Sequence, residues 1–376
     1  MSTHAAPLSF DATANDATAK PLRIVILGLS ITSSWGNGHA TTFRGLVREL
    51  CARGHDVLFL ERDVPWYSSN RDLPQPPFGR TELYESLDDL QRFEADVRDA
   101  DLTIVGSYVP QGVEASEWVL SAARGLKAFY DIDTPVTLAK LARGDYEYLS
   151  PALIPRFDLY LSFCGGPTLQ KLERELGSPC ARFFGCSVDS TLYFPEAVET
   201  QWDLSYLGTY SGDRQPPLEK LLIEPARRFS KGRFVVAGPQ YPDSIAWPDN
   251  VARLEHLPPA QHRAWYCGAR WTLNITRADM IQAGFSPSVR LFEAAACGVP
   301  IISDWWEGLD SFFDIGREII VAHSPDDVLK TLRDTSDDER RAIGERARHK
   351  VLRHHTAAHR AVELESYARE LAAREK

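Results

Sequence analysis

Short apolar runs alternate with amphipathic stretches along most of the chain, and this alternation limits the folds available to it. A continuous apolar run, RIVILGL, occupies 23–29 and is typical of a strand that is buried on both faces of a parallel sheet. The stretch 41–53 follows with apolar residues at helical spacing and stops before Gly54. Strand–helix repetition of this kind predicts parallel strands joined by right-handed crossovers.

The same alternation predicts two domains. Further strands are expected at 56–60, 102–105, 128–132, 159–163, 204–207, 234–237, 251–254, 271–275 and 318–322, with a helix over 216–230 and an irregular insert over 62–80. A chain of 376 residues exceeds one ordinary core. We therefore predict the α/β class, with two Rossmann-like, doubly wound domains that face each other across a cleft. The expected divisions are a disordered tail over 1–20, domains over 21–195 and 196–350, and a C-terminal helix over 351–376.

Composition removes several classes of function. The net charge of −10 gives no strong nucleic-acid signal. No apolar run approaches the roughly 20 residues that cross a bilayer, so the chain is not expected to be transmembrane. The first twenty residues lack the apolar core of a secretory signal. The six cysteines are scattered without a CxxC pair, which favours reduced thiols and a cytoplasmic location.

The segment 286–304, SPSVRLFEAAACGVPIISD, has the strongest functional signal. Ser286 is the expected N-cap of a helix that Gly298 ends. Ser286, Arg290 and Glu293 share one face of that helix. Charges in such an apolar setting are costly unless a ligand meets them, and a helix N-terminus attracts phosphate. The alternative is an exposed Arg290–Glu293 pair.

Two further loops in the second half of the chain follow predicted strands. The segment 274–280, NITRADM, contains Arg277, which together with Arg290 would neutralise a diphosphate. Alternatively, Arg277 pairs with Asp279 or Glu293. The turn at 208–212, GTYSG, offers backbone donors to a phosphate or sugar, although glycine turns follow many strands.

Polar residues also lie at the ends of predicted strands in the first half of the chain. His39 closes the loop 30–39, SITSSWGNGH, at a helix start where a general base belongs; the alternative is an ordinary hydrogen-bonded histidine. The loop has neither the spacing of a dinucleotide fingerprint nor the GK[ST] of a P-loop. Asp131 and Asp133 end a strand, where they would accept hydrogen bonds from substrate hydroxyls or cap the next helix.

These motifs resemble those of a known class of enzyme. EAAACGVPIISD resembles the nucleotide-ribose motif of GT-B glycosyltransferases, and the longer segment over 274–306 is similar to the spore maturation protein CgeB-like glycosyltransferase group. The resemblance covers most of 21–350 in layout, but only 274–306 is highly specific. It implies that Glu293 binds the ribose hydroxyls and that the helix N-terminus near Ser286 and Ser288 faces the diphosphate. It also makes the first domain the acceptor side.

One position departs from the family pattern. Many retaining members carry a second glutamate eight residues before the ribose glutamate, and Phe285 stands there in this chain. The contacts to the donor sugar and the stereochemical outcome therefore stay open.

The resulting expectation is a metal-independent glycosyltransferase that uses a nucleoside-diphosphate sugar and no other cofactor. Its acceptor is an unidentified glycan, lipid-linked or small molecule. The alternatives are a nucleotide-sugar epimerase or hydrolase, and a noncatalytic nucleotide-sugar-binding protein. The expected catalytic residues are His39, Asp133, Arg277 and Arg290. The expected donor-binding residues are Gly208, Thr209, Tyr210, Asn274, Thr276, Arg277, Ser286, Ser288, Arg290 and Glu293.

Overall fold

A computed structural model describes residues 20–374. The predicted tail over 1–20 therefore lies, apart from Lys20, outside the described residues. The chain forms two compact units, of which the second is Val188–Thr356 and the first combines the residues before it with those after it. The units thus divide at 187/188, and the C-terminal helix returns to the first unit. Each unit is a Rossmann-like layer of parallel strands and helices, as the alternation predicted.

The first unit contains a seven-stranded sheet in the order β3-β2-β1-β4-β5-β6-β7, with every pair parallel. The strands are β1 Arg23–Gly28, β2 Asp56–Arg62, β3 Arg80–Tyr84, β4 Leu102–Gly106, β5 Leu126–Asp131, β6 Leu159–Ser162 and β7 Ala181–Phe183. The α-helices of this half are α1 His39–Ala52, α2 Pro65–Ser68, α3 Glu94–Arg98, α4 Gly112–Ala122, α5 Thr134–Ala142 and α6 Pro167–Arg174.

The second unit contains a six-stranded parallel sheet in the order β10-β9-β8-β11-β12-β13. The strands are β8 Trp202–Leu207, β9 Phe234–Ala237, β10 Val251–Leu254, β11 Ala269–Asn274, β12 Ile301–Ser303 and β13 Ile320–Val321. The α-helices are α7 Gln215–Leu218, α8 Glu224–Arg228, α9 His262–Cys267, α10 Ala278–Ala283, α11 Val289–Ala296, α12 Leu309–Phe312, α13 Pro325–Asp334 and α14 Asp337–His354. A π-helical turn at Glu219–Ile223 joins α7 to α8.

The predicted strands form where they were expected because their apolar runs are buried on both faces. Residues 24–27 of β1 are all buried, and Phe43, Leu46 and Val47 of α1 pack with Ile24 and Ile26 in one core cluster. Gly54 has a φ of +91°, a conformation that suits glycine and ends α1. The sequence patterns did not predict β3 or β7, which are the short edge strands of the first sheet.

The helix of the 286–304 segment starts later than predicted. α11 begins at Val289 with Ser288 as its N-cap residue, so the assignment of Ser286 as N-cap is wrong. Gly284 and Phe285 both have positive φ values, +66° and +47°, and turn the chain just before the helix. The Ser286 hydroxyl donates to the Gly284 carbonyl at 2.8 Å within that turn. The predicted stop is confirmed, since Gly298 has a φ of +73°.

The final helix, α15 (Ala357–Arg374), packs against α1 in the first unit. A Cβ at Gly45 of α1 would lie 3.1 Å from the Cβ of Ala357, so the glycine permits close approach. Glu365 accepts hydrogen bonds from Arg53, and His55 Nε2 lies 2.8 Å from the same carboxylate. His355 and His359, near the start of this helix, are buried.

Candidate active site

Polar residues gather at the carboxyl edge of the second sheet. Three adjacent strands, β8, β11 and β12, end at Leu207, Asn274 and Ser303. In an open parallel sheet the loops that follow such strand ends are the usual place for a ligand. The residues predicted to bind the donor are distributed over these loops and over the start of α11.

Asn274 connects three elements of this edge. Its side-chain amide donates to Ser303 Oγ at 2.9 Å and to Thr276 Oγ1 at 3.2 Å. Its carbonyl oxygen accepts from Ser288 Oγ at 2.8 Å and from Arg290 Nη1 at 3.2 Å. Because Asn274 is only 1% exposed, its role is to hold Ser288 and Arg290 in position at the N-terminus of α11.

Asp304 fixes the loop after β11, and the motif search did not assign it a role. Its carboxylate accepts from the backbone N–H of Thr276 and from Thr276 Oγ1, both at 2.8 Å. Burial raises the pKa of Asp304. The predicted donor-binding residue Thr276 is therefore held by this aspartate, which follows β12 directly.

Arg290 lies across the end of β8. Its Nε donates to the Leu207 carbonyl at 2.5 Å, and its guanidinium lies 5.3 Å from the centre of the Tyr206 ring. A Cβ at Gly208 would be 3.1 Å from Arg290 Nη2 and 2.7 Å from the Tyr206 hydroxyl. A side chain there would have to displace both groups, so Gly208 lets the backbone run directly beside the guanidinium.

A third arginine, Arg214, lies near Arg277 and Arg290. Burial lowers the pKa of Arg214, and the nearby charges of Arg290 and Arg277 act in the same direction. Arg214 Nε donates to Ser211 Oγ at 2.8 Å. Its place after a glycine turn, in SGDR, was the signal that could have found it.

The positive charges of these three arginines lie near one another. Within residues 20–374, none of Arg214, Arg277 and Arg290 forms an ion pair with a carboxylate. The alternatives in which Arg290 pairs with Glu293, or Arg277 with Asp279, are therefore not what this part of the chain adopts. Arg277 is exposed at the N-cap position of α10. The arrangement suits an anion with several oxygen atoms.

The turn after β8 lies against the turn after β9. The Tyr210 backbone N–H donates to the Pro239 carbonyl at 3.0 Å, and Thr209 is exposed. Gly238 has a φ of +143°, and a Cβ there would meet the Gly208 carbonyl oxygen at 2.0 Å. The two turns therefore pack backbone to backbone, which leaves the exposed side of the 208–210 backbone next to the arginines.

Glu293 points away from Arg290 into a cluster of tyrosines. It is 6% exposed, and its carboxylate accepts from the Tyr266 hydroxyl at 3.2 Å. The Tyr193 hydroxyl also hydrogen-bonds to Glu293 and lies 3.4 Å from His262 Nδ1. Burial, and then the charge of Glu293, raises the pKa of both tyrosines, so each hydroxyl stays protonated and donates a hydrogen bond to the carboxylate. The sequence search missed both tyrosines.

Ser286 lies in the turn that precedes α11. It is fully buried, and its hydroxyl donates to the Gly284 carbonyl within the preceding turn. Ser288, two residues later, takes the place at the helix start that was expected of Ser286.

In the first unit, His39 and Asp133 meet around a residue that was not predicted, Tyr108. The His39 ring lies edge-on to the Tyr108 ring, with centroids 5.3 Å apart. The Tyr108 hydroxyl donates to Asp133 Oδ2 at 3.2 Å. Tyr108 has a φ of +63°, a strained conformation for a bulky residue that costs about 1–3 kcal/mol and is concentrated at functional sites.

Burial lowers the pKa of His39 to about 4. The imidazole is therefore neutral at pH 7, but it is a weaker base than an ordinary histidine. Its Nδ1 is buried and has no hydrogen-bond partner among the described residues. Such an atom is able to bond to a bound ligand.

The two aspartates after β5 have different roles. Asp131 is fully buried and accepts from the Tyr160 hydroxyl at 2.6 Å and from Thr137 Oγ1 at 2.7 Å. Burial raises the pKa of Asp131 to about 6. Asp133 occupies the N-cap position of α5, but its carboxylate does not cap the helix. Asp133 is thus the carboxylate of this pair that shares the cluster with His39.

In the part of the chain that the structure describes, no three histidine, cysteine, aspartate or glutamate side chains group together as metal ligands would. In the same residues, no helix has both the length and the apolar character that a bilayer crossing requires.

Comparisons with known proteins bear on the fold and on the second half of the chain. Residues 214–366 match the family described as glycosyl transferase-like. Sucrose-phosphate synthase from Thermosynechococcus elongatus has a similar structure, with a TM-score of 0.67 at 14% identity over 93% of this chain and 99% of that chain. HepE from Anabaena, solved with UDP and glucose, gives a TM-score of 0.68 at 12% identity over 93% and 100%. An alpha-glucosyltransferase, solved with UDP and a DNA 13-mer, gives 0.70 at 13% identity over the same shares.

No curated protein sequence matches the chain. At these identities the solved structures establish the fold, and the family match establishes the class of the second half. The protein is a glycosyltransferase that carries a glycosyl transferase-like domain over 214–366 and has the two Rossmann-like domains of the GT-B fold.

Proposed function

We propose that this glycosyltransferase moves a sugar from a nucleoside-diphosphate sugar to an acceptor hydroxyl or amine without a metal ion, and that it is a member of the CgeB-like group. The observation that carries the proposal is the set of three arginines without carboxylate partners at one sheet edge. The complexes of HepE with UDP and glucose support a donor of this chemistry. All six cysteines are thiols, which supports a reducing, cytoplasmic location.

The diphosphate binds to Arg214, Arg277 and Arg290, with the backbone N–H groups after Gly208 and the N-terminus of α11 as further donors. Planar guanidinium groups form paired hydrogen bonds to phosphate oxygens, and a helix N-terminus adds a partial positive charge. Ser288 and Asn274 keep Arg290 at this edge through the two bonds that Asn274 Oδ1 accepts.

The ribose binds to Glu293. An ionised carboxylate accepts about four hydrogen bonds, and the tyrosine hydroxyls of 193 and 266 account for two of them. The remaining lone pairs accept from the ribose hydroxyls. The tyrosines keep the carboxylate in place before the donor arrives.

The reaction is a displacement at the anomeric carbon of the donor sugar. The acceptor oxygen or nitrogen forms a bond to that carbon, the carbon–oxygen bond to the diphosphate breaks, and the electron pair remains on the diphosphate. The three arginines stabilise this leaving group because their positive charge is already positioned when the negative charge develops. The acceptor proton goes to Asp133, or to the neutral His39, in the first unit.

The test is donor binding and turnover in a matched pair of variants. Nucleoside diphosphates raise the melting temperature of the wild-type protein, since a ligand that binds only the native state stabilises it. Arg290→Ala abolishes that shift and lowers transfer by roughly 10²–10³-fold, whereas Arg333→Ala, an exposed arginine of the same unit, changes neither. A normal diphosphate shift and normal turnover in Arg290→Ala would remove this residue from the site.

Product analysis separates the alternatives. A transferase releases nucleoside diphosphate in step with a glycosylated acceptor. An epimerised donor, or free sugar formed at the same rate with and without acceptors, would identify an epimerase or hydrolase. Tight donor binding with no turnover over a broad acceptor panel would identify a noncatalytic nucleotide-sugar-binding protein.

A further inference from the structure

Two exposed tryptophans lie on neighbouring loops of the first unit. Trp35 follows β1 and is 54% exposed, and Trp66 follows β2 and is 53% exposed. The strands β1 and β2 pair in parallel, so both loops leave the sheet at its carboxyl edge. His39, Tyr108 and Asp133 lie after strand ends of this same edge.

The loops are held together by a buried carboxylate. Glu61, near the end of β2, is fully buried and accepts from the backbone N–H groups of Ile31 and Thr32 at 2.7 and 2.9 Å. It also accepts from Thr32 Oγ1 at 2.6 Å. Burying a charged group is expensive unless it is hydrogen-bonded in this way. The loop after β1 is therefore fixed to the end of β2.

A second set of bonds fixes the insert that follows β2. Asp72 accepts from both the N–H and the hydroxyl of Ser34, at 2.8 and 2.9 Å, and from two nitrogens of Arg44, both at 2.9 Å. Although burial acts to raise it, these donors hold the pKa of Asp72 well below its usual range. Arg71 donates to Thr32 Oγ1 at 3.0 Å. The segment predicted as an irregular insert is thus a rigid support.

Polar side chains surround the two indoles. Asn37 donates to the Trp35 carbonyl at 3.4 Å, and its side chain also bonds to Tyr67. Tyr67 is buried and lies edge-on to Trp66, with ring centroids 6.1 Å apart. Amides and hydroxyls beside exposed aromatic rings form a surface that is apolar on the rings and hydrogen-bonding around them.

The two arginines that fix these loops each pair with a carboxylate. Arg44 pairs with Asp72, and Arg71 pairs with Asp63 at 2.6 Å. A basic surface for an anionic membrane or for nucleic acid would present unpaired cations next to the tryptophans. The surface is therefore matched to a neutral ligand with an apolar face and several hydroxyls, which is the chemistry of a sugar ring.

We propose that the acceptor is a neutral saccharide, and that Trp35 and Trp66 stack on the C–H faces of its rings. Resting on the proposed function, this assigns the acceptor class: one ring hydroxyl reaches the His39–Tyr108–Asp133 cluster, and the rest of the saccharide lies along the two indoles. Strain at Tyr108 is retained because this residue orients Asp133 towards that hydroxyl. Tyr108 is thus a further acceptor-binding residue.

The test is direct binding of immobilised neutral oligosaccharides, three to five rings long and of varied linkage, without any donor. The wild-type protein binds one or more of them. The double variant Trp35→Ala/Trp66→Ala loses this binding by roughly 5-fold to 150-fold, because two aromatic contacts of about 0.5–1.5 kcal/mol each are removed. The double variant Trp35→Phe/Trp66→Phe, which keeps aromatic faces, recovers part of it.

The control variant is Ile315→Ala, which removes an exposed apolar side chain from the second unit and leaves binding unchanged. Unaltered melting temperatures show that the variants are folded. Binding that survives in the double alanine variant overturns the assignment of the tryptophans. Failure of every oligosaccharide overturns the acceptor class, as does transfer only to a lipid alcohol in micelles or to a serine peptide.

Failure of the saccharide site and failure of the proposed function give different results. Titration with nucleoside diphosphates tests the donor site of the second unit separately. A protein that binds diphosphates but no oligosaccharide keeps the transferase proposal and loses this one. A protein that binds oligosaccharides through the two tryptophans but binds no diphosphate keeps the saccharide site and loses the transferase proposal.

Discussion

Single side chains in the second unit hold a carboxylate that is almost fully buried. Glu293 accepts hydrogen bonds from two tyrosines, and one of these, Tyr193, comes from the segment that opens the second unit. No spacing along α11 reveals this partnership, because the tyrosines lie about one hundred and about thirty residues earlier in the chain. The helical pattern predicted the position of the acid but not what holds it.

Removing one of the two hydroxyls tests this arrangement. Tyr193→Phe leaves the ring in the core but lets the Glu293 carboxylate turn, so the donor KM rises by roughly threefold to tenfold, as expected for one hydrogen bond to a charged group, while kcat changes little. Steady-state kinetics at varied donor concentration measure the donor KM and kcat separately. Tyr160→Phe, which removes a hydroxyl from Asp131 in the first unit instead, leaves the donor KM unchanged. Equal donor KM values in wild type and Tyr193→Phe would argue against the positioning role.

The titration of His39 makes the free energy of unfolding depend on pH. Its pKa is about 4 in the folded protein and 6.5 in the unfolded chain. Between these values the unfolded chain binds more protons, so the free energy of unfolding falls as the pH drops from about 6.5 towards 4. His39→Gln, which does not titrate, loses less stability over the same range. Urea unfolding at pH 7 and at pH 4.5 compares the two, and parallel losses in both proteins would contradict the low pKa.

At the scale of elements, the contact between α15 and α1 depends on a small ionic cluster. Glu365 meets Arg53 and His55, and its side chain is only 12% exposed. Burial acts to raise the pKa of Glu365, but hydrogen bonds from His55 and Arg53 lower it to about 2. The cluster therefore connects the end of α1 and the start of β2 to a helix that lies about three hundred residues further along the chain.

Glu365→Gln leaves Arg53 with a poorer partner, and we expect it to lower the free energy of unfolding by about 3 kcal/mol at pH 7. Glu370→Gln removes an exposed pair with Arg374 on the same helix and costs about 0–1 kcal/mol. Because the pKa of Glu365 is depressed, its contribution is present above pH 4.5 and is lost as the pH falls towards 2. Urea unfolding measures all three effects, and equal losses in the two variants would refute the difference in burial.

At the scale of the whole molecule, the chain forms most of the first unit, then the second unit, and returns to the first unit with its last helix. Buried residues of α15, among them Ala361, Leu364 and Tyr367, belong to the same core cluster as Ile24 and Ile26 of β1. The last helix is thus part of the core of the first unit, although it follows the second unit in sequence.

A chain that ends at Thr356 should therefore unfold in its first unit. It leaves one face of the first core open, whereas the strands and helices of Val188–Thr356 are all retained. We expect faster amide hydrogen exchange in β1 and α1, with exchange in β8 and β11 unchanged. Mass spectrometry of peptic fragments measures this, and uniform protection of both sheets in the truncated chain would show that α15 is dispensable.

The sequence predicted most of the strands, the α/β class and the helix that ends at Gly298, because long apolar runs and glycine stops are local properties. It also predicted that Asn274, Thr276, Ser288 and Arg290 belong to one site, since these residues follow strand ends that a parallel sheet brings to one edge. The edge strands β3 and β7 were missed because short edge strands carry little of the buried apolar pattern.

The tertiary structure alone decided the rest. The cluster of Arg214 with two later arginines, the strained Tyr108 between His39 and Asp133, and the return of α15 to the first core all join residues that are distant in sequence. Ser288, and not the predicted Ser286, is the N-cap residue of α11, because Gly284 and Phe285 adopt positive φ values just before the helix. Local patterns determine which elements form, whereas pairings between distant side chains depend on how those elements pack, and packing is a property of the folded chain as a whole.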